Sequence, residues 1–129
     1  MMTSKIFFSY SRKDSKGFKV PKIASELEKF PEIEKVLYYE GHDYHNIIKY
    51  MNDNIQRCDI FMYFCSENAL ESEYIEMEWK AAHNINKDLL VVYKKKKYIP
   101  DVLKAYMRCK FKSNKFEKSV QKIHDKILQ

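Results

Sequence analysis

The chain has 129 residues, of which 45% are apolar, 15% aromatic and 33% charged, a length that suits one domain and a mixture able to bury a core. A second sizeable domain and a disordered tail are excluded, and with only two glycines, Gly17 and Gly41, so are a three-glycine dinucleotide fingerprint and a complete glycine-rich phosphate loop. The net charge of +6 is uneven: residues 1–86 hold 11 basic and 14 acidic side chains, leaving −3, and residues 87–129 hold 13 and 4, leaving +9.

Short apolar runs alternate with helical periods along the whole chain. Ile6 to Ser9 reads as a strand covered on both faces, followed by a helix in which Ile23, Ala24 and Leu27 repeat after Pro21, a residue tolerated in a first turn. Val36 to Tyr39 reads as a second strand and Gly41 as a turn, after which Ile47, Ile48, Met51 and Ile55 recur at helical steps. Ile60 to Cys65 is the third strand. Ser72 is a plausible N-cap for a helix from about Glu73 to Ile85. Leu89 to Tyr93 is the fourth strand, and the Pro100 region is a loop with a short helix. Met107, Cys109 and Phe111 alternate with Arg108 and Lys110, which wets one face and places the fifth strand near an edge. Phe116, Val120, Ile123 and Ile127 form the last helical stripe, with Asn114 and Glu117 spaced as a capping box.

Five alternations of strand and helix, with no repeat or composition break, imply one α/β domain over residues 1–129. The expected architecture is flavodoxin-like and doubly wound, a five-stranded, mostly parallel sheet flanked by helices. Ligands of such sheets bind beyond the carboxyl ends of the strands where strand order reverses, here between the first and third strands. The segments of interest are therefore Ser9 to Asp14 and Ser66 to Glu78.

Several features carry no chemistry on this reading. The longest apolar run, Ile60 to Cys65, is far short of the roughly 20 residues of a membrane span, and MMTSKIFF lacks a signal-peptide core. A soluble, cytoplasmic protein without membrane contact is expected. Cys58, Cys65 and Cys109 form no close pair and are odd in number, which suits buried thiols rather than disulfides or a zinc site. His42 and His45 lack a neighbouring acid or thiolate cluster, so no metal is expected. Lys94 to Lys97 read as a solvated loop rather than a nucleic-acid surface, because no base-stacking aromatic pattern accompanies them. Glu71, Glu73 and Glu76 read as solvated charges favoured near a helix N-terminus.

Glu78 is different. Projected at about 100° per residue, Ile75, Met77, Trp79, Ala81, Ala82 and Ile85 fall in one apolar arc, and Glu78 lands near its middle. A carboxylate aimed at a sheet costs several kcal/mol to desolvate unless it is paired or hydrogen-bonded, which makes Glu78 a candidate for function.

KIFFSYSRKD and SENALESEYIEMEWKAA resemble the first box and the third-helix segment of Toll/interleukin-1 receptor (TIR) domains, and the similarity extends over nearly the whole chain. Phe7, Ser9, Tyr10, Arg12 and Asp14 match the F-x-S-Y strand end with its following polar residues and acid. Ser66, Ser72, Tyr74, Glu78 and Trp79 match the segment that usually runs S, then S-x-W-C-x-x-E-[LFW]. The departures are Tyr74 for Trp, Ile75 for Cys, and Glu40 for the Asp that opens the loop after the second strand.

The resemblance implies the same five-stranded fold and, by comparison with catalytic members, cleavage of NAD+ at the nicotinamide–ribose bond to nicotinamide and ADP-ribose or a cyclic form, in antiphage defence or signalling. NAD+ would be the substrate, with no separate cofactor. The family's essential glutamate corresponds to Glu78; Tyr10, Ser11 and Arg12 would line its cleft, Tyr74 would pack on ribose or nicotinamide, and Asp43 in the loop after the second strand would contact substrate. The partners implied are other TIR domains, including further copies of this chain. Other family members are adaptors without catalysis, so a non-catalytic interaction module is the alternative. A receiver domain is disfavoured because Cys65 and Ser66 end the third strand where a phosphoacceptor Asp would stand.

Overall fold

A strand with apolar side chains on both sides of its pleat must be sandwiched between two layers, and Ile6, Phe7 and Phe8 are each no more than 2% exposed. The computed structural model describes residues 3–38 and 44–129, with the side chains of 44–48 also outside the described set. In chain order the elements are β1 (Ser4–Ser9), α1 (Ser15–Phe18), α2 (Val20–Leu27), β2 (Ile33–Leu37), α3 (Tyr44–Ile55), β3 (Ile60–Cys65), α4 (Glu67–Leu70), α5 (Glu73–Asn84), β4 (Asp88–Tyr93), β5 (Met107–Lys110) and α6 (Phe116–Ile127). Short 3-10 turns cover Arg12–Asp14, Lys96–Tyr98, Asp101–Ala105 and Ser113–Lys115.

The strands form one sheet in the order β2-β1-β3-β4-β5, and every neighbouring pair is parallel. Alternation along each strand divides the core in two. Ile6, Phe8, Met62, Phe64, Leu90 and Val92 face α1, α2 and α6 through Phe18, Ile23, Leu27, Phe116, Val120 and Ile123. Phe7, Phe61, Tyr63, Leu89 and Val91 face α3 and α5 through Met51, Ile55, Ile75, Trp79 and Ala82. The chain passes from β1 outward to β2 and then returns to β3 on the other side of β1. The connections from the two inner strands therefore diverge, leaving a crevice over their carboxyl ends.

Three expectations need correction. The second strand spans Ile33–Leu37 rather than Val36 to Tyr39; Tyr39 lies outside the described residues. As an edge strand it exposes Glu34 and Lys35 between buried Ile33 and Val36, and these charges hide its start from an apolar scan. Asn114 does not cap α6, because residues Ser113–Lys115 form a 3-10 turn and Lys115 occupies the cap position. The Ser119 hydroxyl instead holds that corner, accepting from Lys112 N at 2.9 Å and donating to Lys112 O at 3.2 Å. Met77 and Ile85, placed in the apolar arc of α5, are 47% and 48% exposed. They flank the arc, and the sheet covers only its centre.

The fifth strand does lie at an edge, with Cys109 buried and Arg108 and Lys110 exposed; Phe111, just beyond it, is also buried, while Met107 at its start is 41% exposed. All three cysteines are buried and unbridged; burial pushes the Cys58 thiol up to about 11, so little thiolate is available to react. Among the described residues no helix is long and apolar enough to cross a membrane.

Phe64, fully buried, meets Phe8 and Phe18 edge-on at centroid distances of 5.0 and 5.2 Å. Phe64→Ala should lower the unfolding free energy by about 3–5 kcal/mol, read as a shifted midpoint in urea denaturation.

Candidate functional site

The carboxyl end of β1 supplies the floor of the crevice. Along this strand Phe7 and Ser9 point to the α5 side, so the last strand position offers a hydroxyl where its neighbours offer rings. Ser9 is 1% exposed and donates its Oγ hydrogen to Glu78 Oε1 at 2.8 Å. Tyr10 turns to the other layer and is buried, its ring 6.4 Å from Phe64 and 6.3 Å from Tyr38. Ser11, in extended conformation, leads into the turn carrying Arg12.

Asp14 ties that turn to the far wall. Its Oδ2 accepts from the Ser66 hydroxyl and its Oδ1 accepts from Asn68 Nδ2 at 2.8 Å. Ser66 is also the N-cap of α4, accepting from Ala69 N at 2.9 Å, so one hydroxyl serves both the cap and the tie. Ser72 then caps α5, accepting from Ile75 N at 3.3 Å. These caps set the start of α5 and hence its rotation: Ile75, Trp79 and Ala82 pack on the sheet, and Glu78 shares their side.

A cleft of about 380 Å³ lies between the two walls, bordered by Phe7, Phe8, Tyr10, Ser11, Arg12 and Lys13 from the β1 side and by Asn68, Glu71, Ser72, Tyr74, Ile75 and Glu78 from α4 and α5. It falls within the size range of small-molecule sites. Tyr10, Ser11, Arg12, Tyr74 and Glu78 thus share one cleft. Asp43, with Glu40 and His42, lies outside the described residues. Glu71, read from the sequence only as a solvated charge, is exposed and also borders the cleft. Sequence alone assigns no site role to Ser9, Lys13, Asn68 or Ser72; a polar residue closing an otherwise apolar strand is the one signal for Ser9. Among the described residues no cluster of His, Cys, Asp and Glu could hold a metal ion.

Glu78 as a whole is half-buried, yet its carboxyl is closely surrounded by protein, and burial raises its pKa to about 8 against the opposing pull of the Ser9 hydrogen bond. Burial thus biases the carboxyl toward its neutral form. A nearby positive charge would favour ionisation, so the arrangement suits a cationic ligand.

The TIR-domain family model matches residues 6–124. Among solved structures, the CMP N-glycosidase BcmB of Clostridium botulinum superposes with a TM-score of 0.66 at 17% identity, covering 93% of this chain and 98% of that one. The TIR domain of the Toll-related receptor TRR-2 from Hydra magnipapillata gives 0.64 at 11% identity, with 82% and 84% covered. A 2-deoxyribosyltransferase of Bacillus psychrosaccharolyticus gives 0.60 at 13% identity, with 85% and 87% covered. No protein of curated function matches the sequence significantly.

A carboxyl whose pKa is raised on folding from 4.5 to about 8 favours the folded state only while protonated, and that stability is lost as pH rises through this window. Glu78→Gln should therefore raise the thermal midpoint at pH 8 by at least about 2–4 °C and leave it nearly unchanged at pH 4.5, measured by circular dichroism melts. Asp14→Ala, which strands Ser66 and Asn68, should cost about 1–3 kcal/mol in urea denaturation.

Proposed function

Because the chain belongs to the TIR-domain family, we propose that it is an NAD+ glycohydrolase in which Glu78 acts on the ribose of the bound dinucleotide. The observation that carries this reading is the position of Glu78, an inward carboxyl at the switch point, bonded to Ser9 and sharing a cleft with Tyr10, Ser11, Arg12 and Tyr74. Two neighbours of the fold are named for an N-glycosidase and a deoxyribosyltransferase, activities whose names place them at sugar–base bonds, and this supports the same class of bond here.

The chemistry needs only one acid. Nicotinamide in NAD+ is already a cationic pyridinium. When the C1′–N bond breaks, its electron pair passes to the ring nitrogen and nicotinamide departs neutral, with no proton to deliver. What remains is an oxocarbenium-like ribose, which a facing carboxylate stabilises electrostatically. O-glycosidases need a second carboxyl because their leaving oxygen must be protonated. Water then adds at C1′ and loses a proton to give ADP-ribose; attack by a nitrogen of the adenine gives a cyclic product.

The remaining groups suit the rest of the substrate. Arg12 and Lys13 border the cleft on the β1 side and can meet the pyrophosphate, the guanidinium as a two-pronged donor. Tyr74 stands one turn before Glu78 on α5 and can pack against ribose or nicotinamide. The fixed positive charge of the pyridinium opposes the burial that keeps Glu78 neutral, so the substrate itself promotes the ionised form.

The test is chromatography of NAD+ reaction products over a range of protein concentrations. Wild type should release nicotinamide, and Glu78→Ala and Glu78→Gln should remain folded and lose at least about a hundredfold in kcat. An inactive wild type at every concentration, or full activity in both variants, overturns the reading and leaves the interaction module.

A further inference from the structure

We propose that Ser9 is a positioning residue for Glu78: its hydroxyl, fixed at the carboxyl end of β1, pins Oε1 against the sheet and leaves Oε2 for the sugar in the cleft. The role assigned rests on the NAD+-cleaving reading of the site. The geometry is specific. Ser9 pairs in register with Tyr63 of β3, so the donor's position is set by the sheet rather than by a loop. It is 1% exposed, which keeps water from competing for the bond. Among the described residues it is the one donor to Glu78, and Oε2 has none. A carboxylate free to rotate about Cγ–Cδ would spread over many orientations; one pinned oxygen fixes that torsion and so the direction the other oxygen faces.

The same bond acts on the proton. A hydroxyl donating to a carboxylate favours the ionised form, and here it works against burial. The titratable neighbours are Tyr10, Arg12 and Lys13 beyond β1, Glu71 at the end of α4, Tyr63 and Cys65 on β3, Tyr50 on α3 and Tyr74 on α5 itself. Among the described residues, burial raises the pKa of the Glu78 carboxyl and the Ser9 hydrogen bond opposes it. Ser9 thus draws Glu78 toward the ionised form that the proposed chemistry uses.

The experiment titrates the Glu78 carboxyl by NMR of protein carrying 13C-labelled glutamate, its resonance identified by its loss in Glu78→Gln, alongside pH profiles of nicotinamide release. Ser9→Ala should raise the carboxyl midpoint by about one pH unit. The rising limb of kcat should move by the same amount, giving about a tenfold loss on that limb, recovery at alkaline pH, and KM within about twofold. Ser9→Cys, which keeps the shape with a weaker donor, should shift both in the same direction by less, and it carries the test if the alanine variant does not fold. A purely structural role would lower activity equally at all pH and leave the midpoint unmoved; an unshifted midpoint in the folded variants overturns the proposal. If wild type cleaves no NAD+, the functional reading fails separately, and the NMR titration still decides whether Ser9 governs Glu78.

Discussion

A carboxyl group held against the end of a buried parallel strand gives up most of its hydration, and the bond from Ser9 to Glu78 at 2.8 Å returns only part of it. The other features of the site keep that group in place. β1 fixes the hydroxyl, the Ser72 cap fixes the start of α5, and packing of Ile75, Trp79 and Ala82 fixes the helix rotation that brings Glu78 inward. Without that rotation the same glutamate would be one more solvated charge, as Glu73 is on the exposed side.

The second support is the tie across the crevice. Parallel strands leave their carboxyl ends open because the following connections leave in opposite directions, and an open crevice has no intrinsic width. Asp14 bridges it by joining the turn after β1 to Ser66 and Asn68 beyond β3. The acid near the end of the F-x-S-Y segment thus has a mechanical role, distinct from the chemistry proposed for Glu78. Both segments it joins stand beside the residues that border the cleft.

The similarity to three solved structures at 11–17% identity concerns the path of the backbone. Such a fold accommodates many activities, so the functional argument stays with the site: one inward acid, basic side chains on the β1 side, an aromatic on α5, and a cleft large enough for part of a nucleotide. An acid that burial biases toward the neutral form fits the proposed substrate, which brings its own positive charge.

Much of this architecture was legible in the chain. Continuous apolar runs at Ile6, Ile60 and Leu89 announce strands covered on both faces, and the inward phase of Glu78 follows from helical periodicity once Ser72 is taken as the cap. Periodicity is local, however, and could not say how wide an arc of α5 the sheet would cover; Met77 and Ile85 stayed exposed because contact depends on the neighbouring layer. The start of β2 was hidden by its edge charges for the same reason, since edge position is a property of the sheet. By itself the sequence determined the order and type of the elements and which face of α5 carries the acid, because both follow from side-chain chemistry within a few residues. Only the tertiary structure decided that Ser9 donates to Glu78 and that Asp14 accepts from Ser66 and Asn68, because those contacts join residues 69, 52 and 54 positions apart, and no local pattern encodes which distant group will meet a desolvated carboxyl.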